Sequence, residues 1–174
     1  MSEPRSTRGN PAMGDVVRSV VVLGLIVLTL YGVGQFFTRE PETPAPAVDY
    51  ATIVDQVRPV ADFAVLAPPS LPKGWQANRA TFDIDGWHLG VLTDDEEYIG
   101  LDQASVSVDR AVERFADGSR ADGTADIEGE TWSVRKGPQD RTTYVRRDGD
   151  ATTVVVGTPS RRVIEDYISS LSTS

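Results

Sequence analysis

A chain of 174 residues with no cysteine and a single histidine has no disulfide, no thiolate metal site, no cysteine nucleophile and no His–His metal pair. Its net charge of −9 sits entirely in the later part, where from Asp49 onward 13 Lys and Arg face 22 Asp and Glu. Such an acidic surface repels nucleic acid and anionic headgroups and favours solubility. Only Lys73 and Lys136 are lysines among the 17 basic residues, an arginine bias that fits a GC-rich coding sequence.

Residues 1–15 are polar, carry Pro4, Gly9, Asn10, Pro11 and Gly14, and show no hydrophobic period. They read as a disordered cytoplasmic tail. Residues 19–37 (SVVVLGLIVLTLYGVGQFF) run without a charge. A helix of that length covers about 28 Å, close to a hydrocarbon core of roughly 30 Å. Val16 and Val17 extend the apolar run past Arg18, so a transmembrane helix is predicted over 16–37. The competing reading is a buried core helix of a soluble domain; length, lack of charge and terminal position speak against it. Cleaved signal peptides carry an apolar region of roughly 7–15 residues and then a small-residue site. Here the nearest small triplet, Ala45-Pro46-Ala47, lies well beyond the run and contains proline, so an uncleaved anchor is expected. Arg5, Arg8 and Arg18 precede the span, whereas Arg39 is followed by Glu40, Glu42 and Asp49. Retention of positive charge inside makes this a single-pass plasma-membrane protein with a cytoplasmic N-terminus and an extracytoplasmic C-terminal domain. Gly24 faces Leu28 and Gly32 faces Phe36, so the span has no small-xxx-small seam and reads as an anchor only. Residues 38–48, with three prolines, form a semi-rigid linker.

The domain over 49–174 is long enough for one real core. Asp49 caps a short helix whose Tyr50, Ile53, Val54 and Val57 recur at helical spacing before Pro59. The proline-rich stretch 68–75 cannot be a central strand and reads as a rigid loop setting Trp75 against the core. Asn78, Ala80, Phe82 and Ile84 alternate in a first strand, ended by Asp85-Gly86; Trp87, Leu89 and Val91 line a second; residues 98–104 supply a third. Ser107 caps a helix with Val108, Ala111, Val112 and Phe115 as its apolar stripe, stopped at Gly118. Residues 119–126 read as a polar loop. Strands follow over 131–136, 142–147 and 151–157, the last two joined by Asp148-Gly149, a strong hairpin signal. Thr158, with Pro159 at the first helical position, is the expected cap of a final helix carrying Val163, Ile164, Tyr167, Ile168 and Leu171 on one face. The expectation is an α+β fold: an antiparallel sheet with helices on one face, in which strand–strand–strand–helix over 77–116 and again over 131–171 points to a duplicated β-β-β-α unit.

His88, as the only histidine, is the one candidate general base. Strand parity sets it opposite Trp87 and Leu89, and no serine lies in a Gly-x-Ser-x-Gly elbow. Residues 94–97 (DDEE) lack the spaced oxygens and glycine of a calcium loop and read as a solvated hairpin tip, even with Asp83 and Asp85 nearby. Trp75, Trp87 and Trp132 either form an aromatic cleft for a sugar or peptide or serve as large core pieces. Arg146-Arg147 and Arg161-Arg162 are expected to pair with carboxylates. No phosphate-cradling loop, metal cluster or triad is recognisable, so no cofactor, metal or catalytic residue is expected. The candidate binding residues are Trp75, Trp87 and His88.

Five stretches carry a resemblance: Asp15-Val16-Val17-Arg18-Ser19, Leu71-Pro72-Lys73-Gly74-Trp75, Trp87-His88-Leu89-Gly90-Val91-Leu92-Thr93, Glu97-Tyr98-Ile99-Gly100-Leu101-Asp102-Gln103-Ala104 and Ile127-Glu128-Gly129-Glu130-Thr131-Trp132. In that order the chain is similar to an actinobacterial family of single-pass membrane proteins, a domain of unknown function. The resemblance implies lineage and membrane topology and supplies no catalytic residue. The chain departs from it after Thr93, where the acidic quartet replaces an expected proline-and-glycine turn. Together these readings predict a non-enzymatic binding or scaffolding module of the cell envelope, engaging an envelope protein or a wall component. The alternative is an envelope hydrolase using His88 and nearby carboxylates. Whether His88 and two carboxylates share one concave pocket separates the two. An inward-signalling sensor is disfavoured, because the tail over 1–15 has no room for an output domain.

Overall fold

The computed structural model describes residues 47–173, together with Val20, Val21 and Leu23, which are helical and exposed. The predicted span over 16–37, the tail before it and most of the linker otherwise lie outside the described residues. Among the described residues no helix is long and apolar enough to cross a membrane. The C-terminal compact unit spans Ala45–Ser174.

That unit opens with α1 (Tyr50–Val57), where the Asp49 carboxylate accepts the Thr52 backbone N–H at 3.3 Å and the Thr52 hydroxyl at 2.7 Å. A meander follows, β1 (Gln76–Asp83), β2 (Gly86–Leu92) and β3 (Tyr98–Ala104), and then α2 (Val108–Phe115), with the Ser107 hydroxyl as its cap. The chain continues through β4 (Arg120–Ile127), β5 (Glu130–Lys136), β6 (Thr142–Asp148) and β7 (Ala151–Gly157) to α3 (Arg161–Ser169). All seven strands form one antiparallel sheet in the order β1-β2-β3-β7-β6-β5-β4. The fold class is therefore the expected α+β.

Four expectations are corrected. The polar stretch over 119–126 is not a loop but β4, an edge strand with both faces largely exposed, so no hydrophobic alternation marks it. It is a strand because it pairs with β5 across the 126–129 turn, where the Asp126 carboxylate accepts the Gly129 N–H at 3.2 Å. Thr158 does not cap the last helix: α3 begins at Arg161, and the Thr158 hydroxyl accepts the Tyr98 N–H at 3.0 Å, tying the end of β7 to β3. Nor do the helices share one face. Trp87, Leu89, Val91, Ile99, Leu101, Tyr144 and Val155 form the main core with α1 and α3. Val145 and Val154 alternate to the other face and receive Ala111, Val112 and Phe115 of α2. With four strands in the second half and the helices split between faces, a repeated β-β-β-α unit is not present.

The main core also swallows an irregular segment, and two cross-strand partners hold it. Trp87 and Gln103 face each other on β2 and β3. The Trp87 indole N–H donates to the Leu66 carbonyl at 3.0 Å, and the Gln103 side-chain oxygen accepts the Leu66 N–H at 2.7 Å. The Gln103 amide donates in turn to the Ala64 carbonyl and the Thr153 hydroxyl, both at 3.2 Å. A strand-less backbone is buried only because its polar groups are answered in this way.

Buried phenols set an alkaline limit on the fold. Burial first, and then its hydrogen bond to Glu165 at 2.7 Å, push the Tyr144 phenol above the ordinary value of 10.0. Burial pushes up Tyr167, whose side chain fills the core side of α3, and Tyr98 in the same direction. Groups held neutral in the fold stabilise it fully below the unfolded value near pH 10.0 and lose that contribution as pH rises through the raised folded values. Stability should therefore fall only above about pH 10, with the tyrosinate absorbance of these phenols appearing together with unfolding. Ionisation of Tyr98, Tyr144 and Tyr167 in a still-folded domain would contradict this.

Candidate functional site

The three residues singled out from sequence do not converge. Trp87 is 1% exposed, a core side chain spent on the Leu66 carbonyl, and presents no surface to a partner. Trp132 is buried as well, under the Arg146 guanidinium at 5.2 Å from its ring. A joint cleft of the three tryptophans is thereby excluded. Trp75 and His88 lie on opposite faces of the sheet, each beside its own concavity.

Trp75 is positioned by the proline-rich loop, its N–H donating to the Pro72 carbonyl at 3.1 Å. Its indole stacks on the Tyr167 ring of α3, centroids 6.3 Å apart at 27°. Leu71, Pro72 and Val163 complete a largely apolar cleft of about 380 Å³, with Asp166 and the Ser70 and Ser170 hydroxyls at its polar margin. The Tyr167 hydroxyl is buried without a hydrogen-bond partner among the described residues.

His88 stands on the other face, in a cross-strand row of Thr81, His88 and Asp102 on β1, β2 and β3. The row beside it is Arg79, Gly90 and Gly100. The Asp102 carboxylate, on a residue only 7% exposed, lies 2.7 Å from His88 Nδ1. As an acceptor it selects the Nδ1–H form of the neutral ring and leaves Nε2 free to act. The Tyr98 hydroxyl is 3.4 Å from Nε2, long for a hydrogen bond, so it is at hand without being tightly held. Its ring reaches that point because two glycines face each other across β2 and β3: a Cβ on Gly100 would stand 2.9 Å from the Tyr98 hydroxyl, and one on Gly90 at 3.2 Å. Burial, and then the Asp102 charge, push the Tyr98 phenol up, while the Arg79 guanidinium opposes that rise.

Arg79, Thr81, His88 and Asp102 border a groove of about 210 Å³ that also takes in Asp83, Asp85, Arg114 and Phe115. His88 and several carboxylates thus share one concavity, which keeps a base and its acid partner available to chemistry. Most of those charges are engaged: Asp85 with Arg114 at 2.6 Å, Asp83 with the Asp85 N–H at 2.8 Å, Asp102 with His88. The acidic tip over 94–97 stands apart as the β2–β3 turn, bracketed by Thr93, whose N–H donates to the Glu97 carbonyl at 2.9 Å. Among the described residues no cluster of His, Asp and Glu gathers as a metal site. Arg146, Arg161 and Arg162 pair with Glu130, Asp122 and Asp166 as expected, whereas Arg147 donates to the Val106 carbonyl at 2.7 Å.

Sequence reasoning missed Asp102, Tyr98 and Arg79 as neighbours of His88. A signal existed in Asp102, the one charge inside the strand YIGLDQA, where an unpaired carboxylate is costly and the single histidine is the natural partner.

A family described as a protein of unknown function (DUF4245) matches residues 8–171. Neither a curated protein nor a solved structure matches the chain. The stretches that carry the family resemblance divide between the two faces of the sheet: Trp87 and Gln103 clasp the core segment, and His88 and Asp102 pair on the other face beside Tyr98. The match spans nearly the whole chain, which belongs to the DUF4245 family.

Proposed function

We propose that this DUF4245 member is a membrane-anchored extracytoplasmic binding module of the cell envelope, and that it holds a wall glycan in the Trp75 cleft. Anchoring and orientation rest on the uncharged run over 19–37 and the arginines before it. The observation that carries the binding role is the Trp75–Tyr167 stack walling a cleft of about 380 Å³. That volume falls within the roughly 300–1,000 Å³ of ligand pockets, whereas the His88 groove does not. An indole wall with the Asp166 carboxylate and serine hydroxyls at its margin suits a pyranose, whose apolar face stacks and whose hydroxyls donate.

Spheroplasts expressing the full chain, incubated with fluorescent glycan strands from digested cell wall, test orientation and binding together. Saturable binding at the outer surface is expected, with Trp75→Ala weakening it about 5- to 30-fold, the equivalent of about 1–2 kcal/mol of stacking. Resistance of the variant to added protease checks that it is still folded. Absent binding, or binding indifferent to Trp75→Ala, rejects the proposal. The envelope hydrolase keeps in its favour the His88–Asp102 pair at 2.7 Å and the concavity His88 shares with Asp83, Asp85 and Asp102; release of reducing ends from the same strands, lost on His88→Gln, would select it.

A further inference from the structure

The Trp75 cleft is one-sided in charge as well as walled by aromatic rings. Of the residues lining it Asp166 alone is charged, and no Lys, Arg or His is among them. The Asp166 carboxylate is only loosely engaged: Arg162, one turn earlier on α3, stands 3.9 Å away with both side chains exposed, a pairing of little strength. Ser170, one turn later, has its hydroxyl hydrogen on the Tyr167 carbonyl at 2.6 Å, so the oxygen has only lone pairs left to offer. The acidic β2–β3 turn over 94–97 adjoins the same loop, for a Cβ on Gly74 would stand 2.9 Å from the Asp94 Cβ. Lys73, beside that glycine, is exposed and forms no part of the cleft wall.

We propose that the sugar held in this cleft is an amino sugar whose amine is free and protonated, so that the site selects a cationic glycan over a neutral or acidic one. This rests on the glycan reading given above and adds the ligand's charge to it. A pyranose stacked on the Trp75 indole brings its ring substituents to the margin where Asp166 and Ser170 stand. An ammonium carries three N–H donors and a positive charge, where a hydroxyl carries one donor and no charge. Those N–H groups match the Asp166 carboxylate and the Ser170 oxygen, and the indole face attracts the charge as well. N-acetylation removes the charge and leaves a single amide N–H. A uronic acid brings another carboxylate, an acceptor that meets Asp166 as a like charge. Asp94, Asp95, Glu96 and Glu97 act at longer range: set against Lys73 and Arg162, they leave the surroundings of the loop negative and raise the local concentration of a cation there.

The full chain in detergent micelles, titrated with end-labelled tetramers of glucosamine, of N-acetylglucosamine and of galacturonate, tests this. At about pH 6, where an amine is protonated, the glucosamine tetramer should bind about 3- to 10-fold more tightly than its N-acetylated counterpart, the scale of an exposed charge pair with a cation–π contact. Galacturonate should bind least. The preference should shrink in about 1 M salt, where the Debye length is about 3 Å. Asp166→Asn should bring the ratio of the two hexosamine tetramers close to unity, and at 75% exposure this side chain is not one the fold depends on. Trp75→Ala should weaken both. Equal affinities or the reverse order in the unaltered protein, or a ratio unchanged in Asp166→Asn, would overturn the proposal and leave the glycan reading in place. A ratio that survives Trp75→Ala would show the amine drawn to the acidic surface at large, which overturns it too. If none of the tetramers binds, the glycan reading falls and the charge selectivity with it.

Discussion

Replacing Trp87 by alanine is expected to cost the domain on the order of 4–6 kcal/mol, most of the stability of a domain this size. The indole is 1% exposed and sits among Leu89, Leu101 and the α1 and α3 side chains, so its removal loses the transfer free energy and leaves a cavity. Large aromatics in such sites cost about 3–5 kcal/mol. The Leu66 carbonyl, which accepts the indole N–H at 3.0 Å, is then left unanswered, a further penalty of about 1–3 kcal/mol. Its cross-strand partner Gln103 holds the same residue's N–H at 2.7 Å, so the clasp loses one of its two arms. Trp87→Phe separates the terms: the ring's bulk is largely kept and the donor alone is lost, so about 1–3 kcal/mol should go. Native-state hydrogen exchange on the full chain in micelles measures both variants, with the amides of β2 and β3 as the slow core. A loss below about 2 kcal/mol for Trp87→Ala would show that the core closes over the gap.

Parity along β2 carried the decisive information about this tryptophan. Trp87, Leu89 and Val91 share one face in the sequence, and in the structure that face is the core. Six of seven strands were legible, the first two from alternation, with Asp85-Gly86 and Asp148-Gly149 marking two of the turns. β4 was not, because a strand exposed on both faces has no period to read; RADGTADI becomes a strand only through the ladder β5 offers it. The apolar stripe of α2 announced that a face is buried without saying against which side of the sheet. The missing clue lay in β6 and β7, whose central residues are buried on consecutive positions, as in a sheet covered on both faces. At the site, His88 stood out by being unique, but its pairing with Asp102 is a fact of register between strands fourteen residues apart. Local sequence reveals alternation, and register emerges only when the strands meet.

Gly86→Ala is expected to be nearly as damaging as loss of the tryptophan, although it adds a single methyl group. Gly86 opens β2 at a φ of +119°, a conformation that side-chain-bearing residues rarely adopt, which alone costs about 1–3 kcal/mol. A Cβ built there also overlaps the Gln103 backbone carbonyl oxygen and comes within 3.1 Å of the Ala104 Cβ. Neither is the tip of a flexible side chain, so relief requires parting β2 from β3. The two rows nearest that point are Trp87 opposite Gln103 and His88 opposite Asp102, so a shift loosens the core clasp on one face and the imidazole–carboxylate pair on the other. Gly149→Ala is the matched control: its φ is +56° but a Cβ there meets nothing within 4 Å, so about 1 kcal/mol of backbone cost should be all that is seen. Exchange-derived stabilities should therefore differ by at least about 2 kcal/mol between the two variants, and any folded Gly86→Ala should show a displaced His88 imidazole resonance. Equal effects would mean that the strand end relaxes freely, and that Gly86 serves only the turn rather than the register that sets His88 against Asp102.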